Sequence, residues 1–273
     1  MKNLNYFLIS IDLEETMYES GRDSHNKFTT MVESLLHFFT RHKMKVTFFV
    51  VGNVARKFPE IVKAIYYAGH EIACHSDSHT PLSSLNKQQF EMDILNNIES
   101  LHKIGIKKIS GYRAPNFSLI PSTFWAYDIL IKFNFIYSSS VLPALNPLFG
   151  WSNFSRSPIF IKEKIIEIPV TVNPMGFPIG GAYMRILPYF LVSKTFQNHF
   201  NKNLPIFSYL HPYDIDPSKT NYMFPNIGNN RFLNYLLHLN RSHTLSYLEN
   251  ILAEYNTTTI TYFDYVKTHL EKI

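Results

Sequence analysis

The sequence predicts an α/β protein in which parallel strands alternate with helices. Apolar strand-like segments and helix-like segments follow one another along the 273 residues. No repeat, low-complexity tract or Gly/Ser-rich linker divides the chain, and 45% hydrophobic with 17% charged residues is a globular composition. We therefore expect a single domain spanning residues 1–273.

Short apolar runs predict the strands, and capping residues delimit the helices. Pro59 is placed to open a helix that Gly69 ends, and Asn86 with Gln89 forms a capping-box pattern. The predicted strands are 6–11, 45–51, 70–74, 109–112, 165–169, 206–210 and 258–260. The predicted helices are 28–42, 59–68, 86–102, 121–133, 242–255 and 262–270.

Residues 141–188 differ from the rest of the chain because they are rich in Pro, Gly and aromatic residues and show little periodicity. We expect an irregular insert here. Long irregular segments in compact domains usually serve function, although a solvated excursion is the alternative.

Composition excludes several classes of protein. The net charge is +5 without a run of five basic residues, so a nucleic-acid partner is not expected. The one cysteine, Cys74, permits no intrachain disulfide, which fits a reducing compartment. No stretch approaches the roughly 18 apolar residues of a transmembrane segment. We expect a cytoplasmic protein that acts near the inner face of the membrane. The sequence does not specify its oligomeric state.

Polar clusters directly follow four of the predicted strands. In a barrel of parallel strands, this is the face at which catalytic groups gather. The clusters are Asp12 with Glu14, His75 with His79, Arg113, and His211.

Two of these clusters together predict a metal site. His75 and His79 are spaced so that both imidazoles can meet one ion on the same side of a turn, although solvated loop histidines have the same spacing. Strand alternation places Asp12 and Glu14 on one side, so that one carboxylate can bind the cation while the other serves as a general base. Glu15 replaces Glu14 as ligand if the strand bulges.

The other two clusters carry single polar residues. Arg113 can form a fork with a carboxylate such as Asp12 and lower its pKa, an arrangement that a structural salt bridge shares. His211 is a candidate proton donor, and a packed or surface histidine is the alternative.

Five ordered motifs resemble those of the polysaccharide deacetylase family, also known as NodB-homology or carbohydrate esterase family 4-like. The likeness is to the Asp-x-Glu branch that is associated with exopolysaccharide genes. The motifs are 10–15 (SIDLEE), 75–79 (HSDSH), 111–115 (GYRAP), 179–188 (IGGAYMRILP) and 209–217 (YLHPYDIDP).

The resemblance implies a distorted (β/α) barrel and a divalent cation, usually zinc, while Co²⁺, Ni²⁺ or Fe²⁺ also suit such ligands. It implies that the reaction removes an N-acetyl or other short acyl group from an amino sugar of a glycan or glycan precursor. The implied roles are metal ligands Glu14, His75 and His79, base Asp12, orienting residue Arg113, general acid His211 and oxyanion donor Asn116 through its backbone N–H.

One position departs from the family pattern. Ser138 stands where relatives of this branch commonly carry Asp, and a serine would orient the acid histidine less well. Asp214 is a candidate substitute.

Several aromatic and basic side chains are candidates for sugar contacts, with core packing or loop anchoring as the alternative for each. They are Phe149, Trp151, Tyr183, Arg185 and Tyr213. Three other functions compete with the main one: a deformylase or cyclic-amide hydrolase on the same scaffold, a catalytically weak glycan-binding homologue, and a plain interaction module.

Overall fold

A single eight-stranded sheet forms the centre of the molecule. The computed structural model describes residues 4–15, 22–146, 148–218, 223–224 and 229–270. The strands are β1 (Phe7–Leu13), β2 (Thr47–Val50), β3 (Glu71–Cys74), β4 (Gly111–Tyr112), β5 (Tyr137–Ser138), β6 (Ile159–Ile161), β7 (Ile165–Glu167) and β8 (Ile206–Leu210).

The strand order is β6-β7-β5-β4-β3-β2-β1-β8, and every neighbouring pair is parallel except β6 with β7. The predicted α/β architecture with parallel strands is therefore confirmed. Residues 258–260 were predicted to be a strand, but only Thr258 pairs there, in an isolated bridge to Tyr6.

Helices connect the strands and cover the sheet. The capping box predicted at Asn86 is present, because its side chain accepts from the Gln89 N–H and the Gln89 side chain bonds back to the Asn86 N–H. The helices are α1 (Arg22–Arg41), α2 (Gly52–Lys57), α3 (Pro59–Tyr67), α4 (Lys87–Lys103), α5 (Ala126–Lys132), α6 (Gly181–Ile186), α7 (Tyr189–Phe200), α8 (Arg231–His238), α9 (Thr244–Tyr255) and α10 (Tyr262–Tyr265).

The segment after β7 bridges the gap between β7 and β8. The Ile168 N–H donates to the Ser138 carbonyl on β5, and the Thr171 N–H donates to the Phe207 carbonyl on β8. Gly180 then pairs with Tyr209, and a Cβ on this glycine would lie 2.5 Å from the Tyr209 ring. An irregular segment thus closes the barrel between β7 and β8, in keeping with the distorted barrel that the family resemblance implies.

The predicted irregular insert at 141–188 is wrong in part. It contains β6, β7 and the helix α6. The predicted strand 165–169 contains β7, whereas β6 and α6 were not predicted because each is too short to show a clear period.

Alternation along β1 divides the core between two sides of the sheet. Phe7, Ile9 and Ile11 pack beneath the outer helices, whereas Leu8 belongs to the cluster inside the barrel, which Tyr262 of α10 closes from below. Since successive side chains of a strand alternate, Asp12 follows Leu8 onto the inner side. The polar end of β1 therefore faces the barrel axis.

Glu71, at the start of β3, ties α10 to this lower end of the barrel. Its carboxylate accepts from the Thr47 hydroxyl (2.7 Å), the Tyr137 hydroxyl (2.7 Å) and the Phe263 N–H (3.0 Å). Burial raises the pKa of Glu71 from 4.5 to about 7, against the opposing effect of these three donors.

This shift predicts a pH dependence of stability. The protonated Glu71 stabilises the fold fully below pH 4.5, and this contribution, about 3 kcal/mol, is lost as the pH rises through about 7. Glu71→Gln mimics the protonated form. Urea unfolding from pH 4.5 to 8 should therefore show the variant gaining stability relative to the wild type as the pH rises. A difference that does not change with pH would contradict this prediction.

Candidate active site

A buried ion pair lies just above the barrel core, where β1 and β4 end. Arg113 is fully buried, and its Nη1 donates to Asp12 Oδ1 (2.5 Å) and to Ser10 Oγ (2.7 Å). Its Nε and Nη2 donate to the carbonyl and hydroxyl of Ser139 (both 2.9 Å). Among the residues that the structure describes, no donor bonds Asp12 Oδ2. Arg113 thus holds Asp12 in place while one carboxylate oxygen stays available.

Glu14, His75 and His79 converge beside this pair. One ligand atom from each lies within 4.8 Å of the other two. Glu14 contacts His79 Nε2 directly and lies 3.9 Å from His75 Nε2. Burial raises the pKa of Glu14, but the three nearby imidazoles of His79, His211 and His75 outweigh it and lower that pKa. Glu15 instead pairs with Lys57 (2.6 Å), which removes it as the alternative ligand.

The loop that carries both histidines is held by α4. Asp93 Oδ1 accepts from Ser76 Oγ (3.1 Å) and from the N–H groups of Asp77 (3.0 Å) and Ser78 (3.3 Å). Ser76 Oγ accepts in turn from the His79 N–H (3.0 Å). Asp93 was not among the predicted site residues, although an acidic residue on the buried side of an amphipathic helix is a signal for such a role.

His211 follows β8 and points toward Glu14. Its Nδ1 bonds Asp214 Oδ2 (2.9 Å), and its Nε2 lies 3.8 Å from Glu14 Oε1. Burial lowers the pKa of His211, but Asp214 and Glu14 together raise it to about 9. Asp214, the candidate substitute for the Asp that Ser138 replaces, is therefore the residue that bonds the His211 ring. Ser138 instead donates to Ser140 Oγ (2.7 Å).

Arg185 supports Asp214 from α6. Its Nη2 donates to Asp214 Oδ1 (3.0 Å) and to the Leu237 carbonyl (2.7 Å), and the side chain is 1% exposed. These contacts favour a supporting role for Arg185 over the predicted contact with a sugar. The motif at 179–188 thus supplies the residue that fixes the partner of His211.

The remaining predicted site residues differ in their contacts with the metal-ligand candidates. Tyr213 stacks on His211 (4.5 Å between ring centroids), and its hydroxyl donates to Glu14 (3.3 Å). Asn116 is exposed and left-handed (φ 54°), and none of the backbone hydrogen bonds found among the described residues uses its N–H. Tyr183 packs on Phe177.

Trp151 and Phe149 belong to the insert. The Trp151 ring contacts Phe124 and Phe154 in the aromatic packing outside the sheet, and Phe149 is half-buried. Their contact with a sugar stays a prediction.

The residues at the centre suit a divalent cation. The Nδ1 of His75 bonds the Arg113 carbonyl (2.8 Å), which leaves the Nε2 lone pair directed toward Glu14. Such a hydrogen bond from the outer ring nitrogen is the usual support of a histidine ligand. Two neutral imidazoles and one carboxylate form a donor set for zinc or a similar ion, with further coordination positions left open.

Comparison with known proteins agrees with this geometry. The family model for polysaccharide deacetylase matches residues 17–128, which include both histidines and Arg113. Over these 112 of its 273 residues, the chain matches the polysaccharide deacetylase family. A second model, a domain of unknown function (DUF3473), matches residues 139–263, which contain Arg185, His211 and Asp214.

Curated relatives match parts of this chain. The peptidoglycan-N-acetylglucosamine deacetylase of Bacillus cereus is 39% identical over 77 residues, which are 28% of this chain and 26% of that protein. The chitooligosaccharide deacetylase of a Bradyrhizobium species is 26% identical over 115 residues, 42% of this chain and 49% of that protein. The matches therefore span between a quarter and a half of these relatives.

Solved structures share the fold. A family 4 carbohydrate esterase from Streptomyces lividans superposes with a TM-score of 0.51 at 14% identity, over 93% of this chain and 91% of the other. PuuE allantoinase superposes with a TM-score of 0.65 at 13% identity, over 98% and 93%. The predicted distorted (β/α) barrel of the NodB type is thus confirmed. In the described part of the chain, no helix has both the length and the hydropathy of a membrane span.

Proposed function

We propose that this chain is a metal-dependent hydrolase that removes an N-acetyl group from an amino sugar of a glycan. The observation that carries the proposal is the meeting of three ligand atoms within 4.8 Å, next to the Asp12–Arg113 pair and His211. An ion site between a candidate base and a candidate acid suits metal-assisted hydrolysis of an amide.

Glu14, His75 and His79 would hold the cation, zinc being the first candidate. When bound, it would supply the Lewis acidity that polarises an acyl carbonyl and lowers the pKa of water. The ligand assignment rests on the buried carboxylate and on the outer hydrogen bond of His75 to the Arg113 carbonyl.

Asp12 is the general base of the proposed reaction. Its Oδ2 takes the proton of the attacking water, while Oδ1 stays bonded to Arg113. The backbone N–H of Asn116 donates to the developing oxyanion, a contact of the kind that contributes about 3 kcal/mol. Arg113 keeps Asp12 from rotating during proton transfer, because its other donors are fixed by Ser139.

His211 is the general acid. Because Nδ1 is bonded to Asp214, the Nε2–H is directed into the site and donates its proton to the leaving nitrogen. The products are acetate and a free amine. Tyr213, which stacks on His211, and Tyr183 would line the sugar site.

The proposal extends to the substrate class and to the location of the protein. The relatives are named for peptidoglycan and chitooligosaccharide substrates, so a polymer or oligomer of N-acetylglucosamine is the substrate class to test first. We propose a cytoplasmic location, which the single and buried cysteine, Cys74, fits.

The decisive assay incubates zinc-loaded protein with chitooligosaccharides and quantifies acetate together with free amine. We expect the two in equal amounts. Release of formate from an N-formyl sugar, or of an acid from a cyclic amide, without acetate release would favour the rival hydrolases. Glycan binding with no acid released would favour a binding protein.

Asp214→Asn should lower kcat by about 10- to 100-fold with little change in KM, because the neutral amide no longer stabilises the protonated imidazole of His211. Asp214→Glu should recover part of the loss. The matched control is Asp216→Asn, which removes ion pairs to Lys27 and Arg241 but no contact of His211. Equal losses of kcat in both asparagine variants would show that Asp214 is only structural.

A further inference from the structure

The end of the barrel opposite the site carries a surface of lysines. In a parallel sheet, the loops that precede the strands all lie at this one end. Six exposed lysines occupy four of these loops: Lys43 and Lys45 before β2, Lys107 and Lys108 before β4, Lys164 before β7, and Lys202 before β8. We call these six residues the lysine face.

The charges of the lysine face are not neutralised locally. Among the described residues, none of the six forms an ion pair with a carboxylate. At the site end the opposite holds, since Arg56 pairs with Asp77 and Lys57 with Glu15. The site end also carries most of the buried carboxylates described above. The two ends of the barrel therefore differ in how their exposed cationic side chains are paired.

Exposed apolar and aromatic side chains lie among these lysines. Tyr67, at the end of α3, is 80% exposed, Leu4 before β1 is 54% exposed, and Leu204 before β8 is 39% exposed. Neighbouring strands are about 4.8 Å apart, so that the loops before β2 and β4 are about 10 Å apart across β3. The lysine face thus combines positive charges with exposed apolar and aromatic side chains.

We propose that the lysine face docks on an anionic phospholipid surface and leaves the active site facing away from it. Lysines interspersed with Tyr and Leu are the side-chain chemistry of interfacial membrane contact, since ammonium groups reach lipid headgroups while tyrosine and leucine enter the boundary region. A nucleic acid or an acidic protein would favour the forked guanidinium of arginine. Arg41, the arginine described near this end, pairs with Glu249.

The test is sedimentation of the full chain with vesicles of phosphatidylglycerol and phosphatidylcholine, compared with vesicles of phosphatidylcholine alone. We expect binding to the anionic vesicles only, weakened by added salt. Replacing Lys43, Lys107 and Lys202 with Gln should lower the partition coefficient on the order of a hundred-fold. Each lysine that is removed contributes a factor of about five.

The matched control removes the same charge elsewhere, through Gln at Lys87, Arg156 and Lys194. These three residues lie outside the loops of the lysine face, and the partition coefficient should stay within about three-fold of the wild type. Circular dichroism checks that both triple variants are folded. No binding of the wild type at low salt would overturn the proposal, as would an equal loss in both triple variants. Binding to an acidic polypeptide, polyglutamate, added in place of the vesicles, with no binding to the anionic vesicles would also overturn it.

Discussion

His79→Ala is expected to lose both bound zinc and acetate release. His79 contacts Glu14 directly and is one of the three proposed ligands among the described residues, so its removal would leave two of them. Loss of an outer-shell partner alone costs about 10- to 100-fold in metal affinity, and loss of a ligand should exceed that. Zinc per chain, measured by atomic emission after gel filtration, and acetate release report the two losses.

His102→Ala is the matched control for this variant. His102 lies in the last turn of α4 and is exposed, so that its removal takes away an imidazole without touching the site. The control should keep wild-type zinc and activity. Full activity of the His79 variant in zinc-free buffer would refute the metal-dependent mechanism.

Asp12→Asn is expected to keep zinc and lose turnover. The asparagine oxygen can still accept from Arg113, so that the buried guanidinium stays partnered, but an amide cannot take a proton from water. A general base contributes about 10²- to 10⁴-fold, and kcat should fall by that factor. The measurement combines zinc content with kcat and KM on a chitooligosaccharide.

The same variant separates the roles of the two acidic residues. If Asp12→Asn loses its zinc while Glu14→Gln keeps it, the base and the ligand have been exchanged. The expected pattern is the reverse, because Glu14 lies beside both imidazoles, whereas Asp12 is engaged by Arg113.

Local pattern predicted the regular part of the fold. The run Ile206–Leu210 was predicted to the residue, and the capping box at Asn86 marked the start of α4. Local sequence patterns could not predict the closure of the barrel. It depends on hydrogen bonds between Thr171 and β8, which are 36 residues apart in the chain. The three-residue strand β6 is too short to show a period, whereas β7 lies within the predicted strand 165–169.

The site residues were predictable where metal-binding side chains stand within a short sequence motif. The structure brings together Glu14, His75 and His79, as the spacing and the family resemblance implied. The residues that hold them were not predictable in this way. Asp93 reaches the histidine loop from a helix, and Arg185 reaches Asp214 from 29 residues away. Such partners are defined by tertiary packing, which a single sequence does not display.

The presence of an ion between these three side chains is tested most directly by anomalous diffraction from zinc-loaded crystals, with data on both sides of the zinc edge. We predict one strong peak bonded to His75 Nε2, His79 Nε2 and a carboxylate oxygen of Glu14. A well-ordered crystal of zinc-loaded protein with no peak there, or with its peak on other residues, would contradict the account.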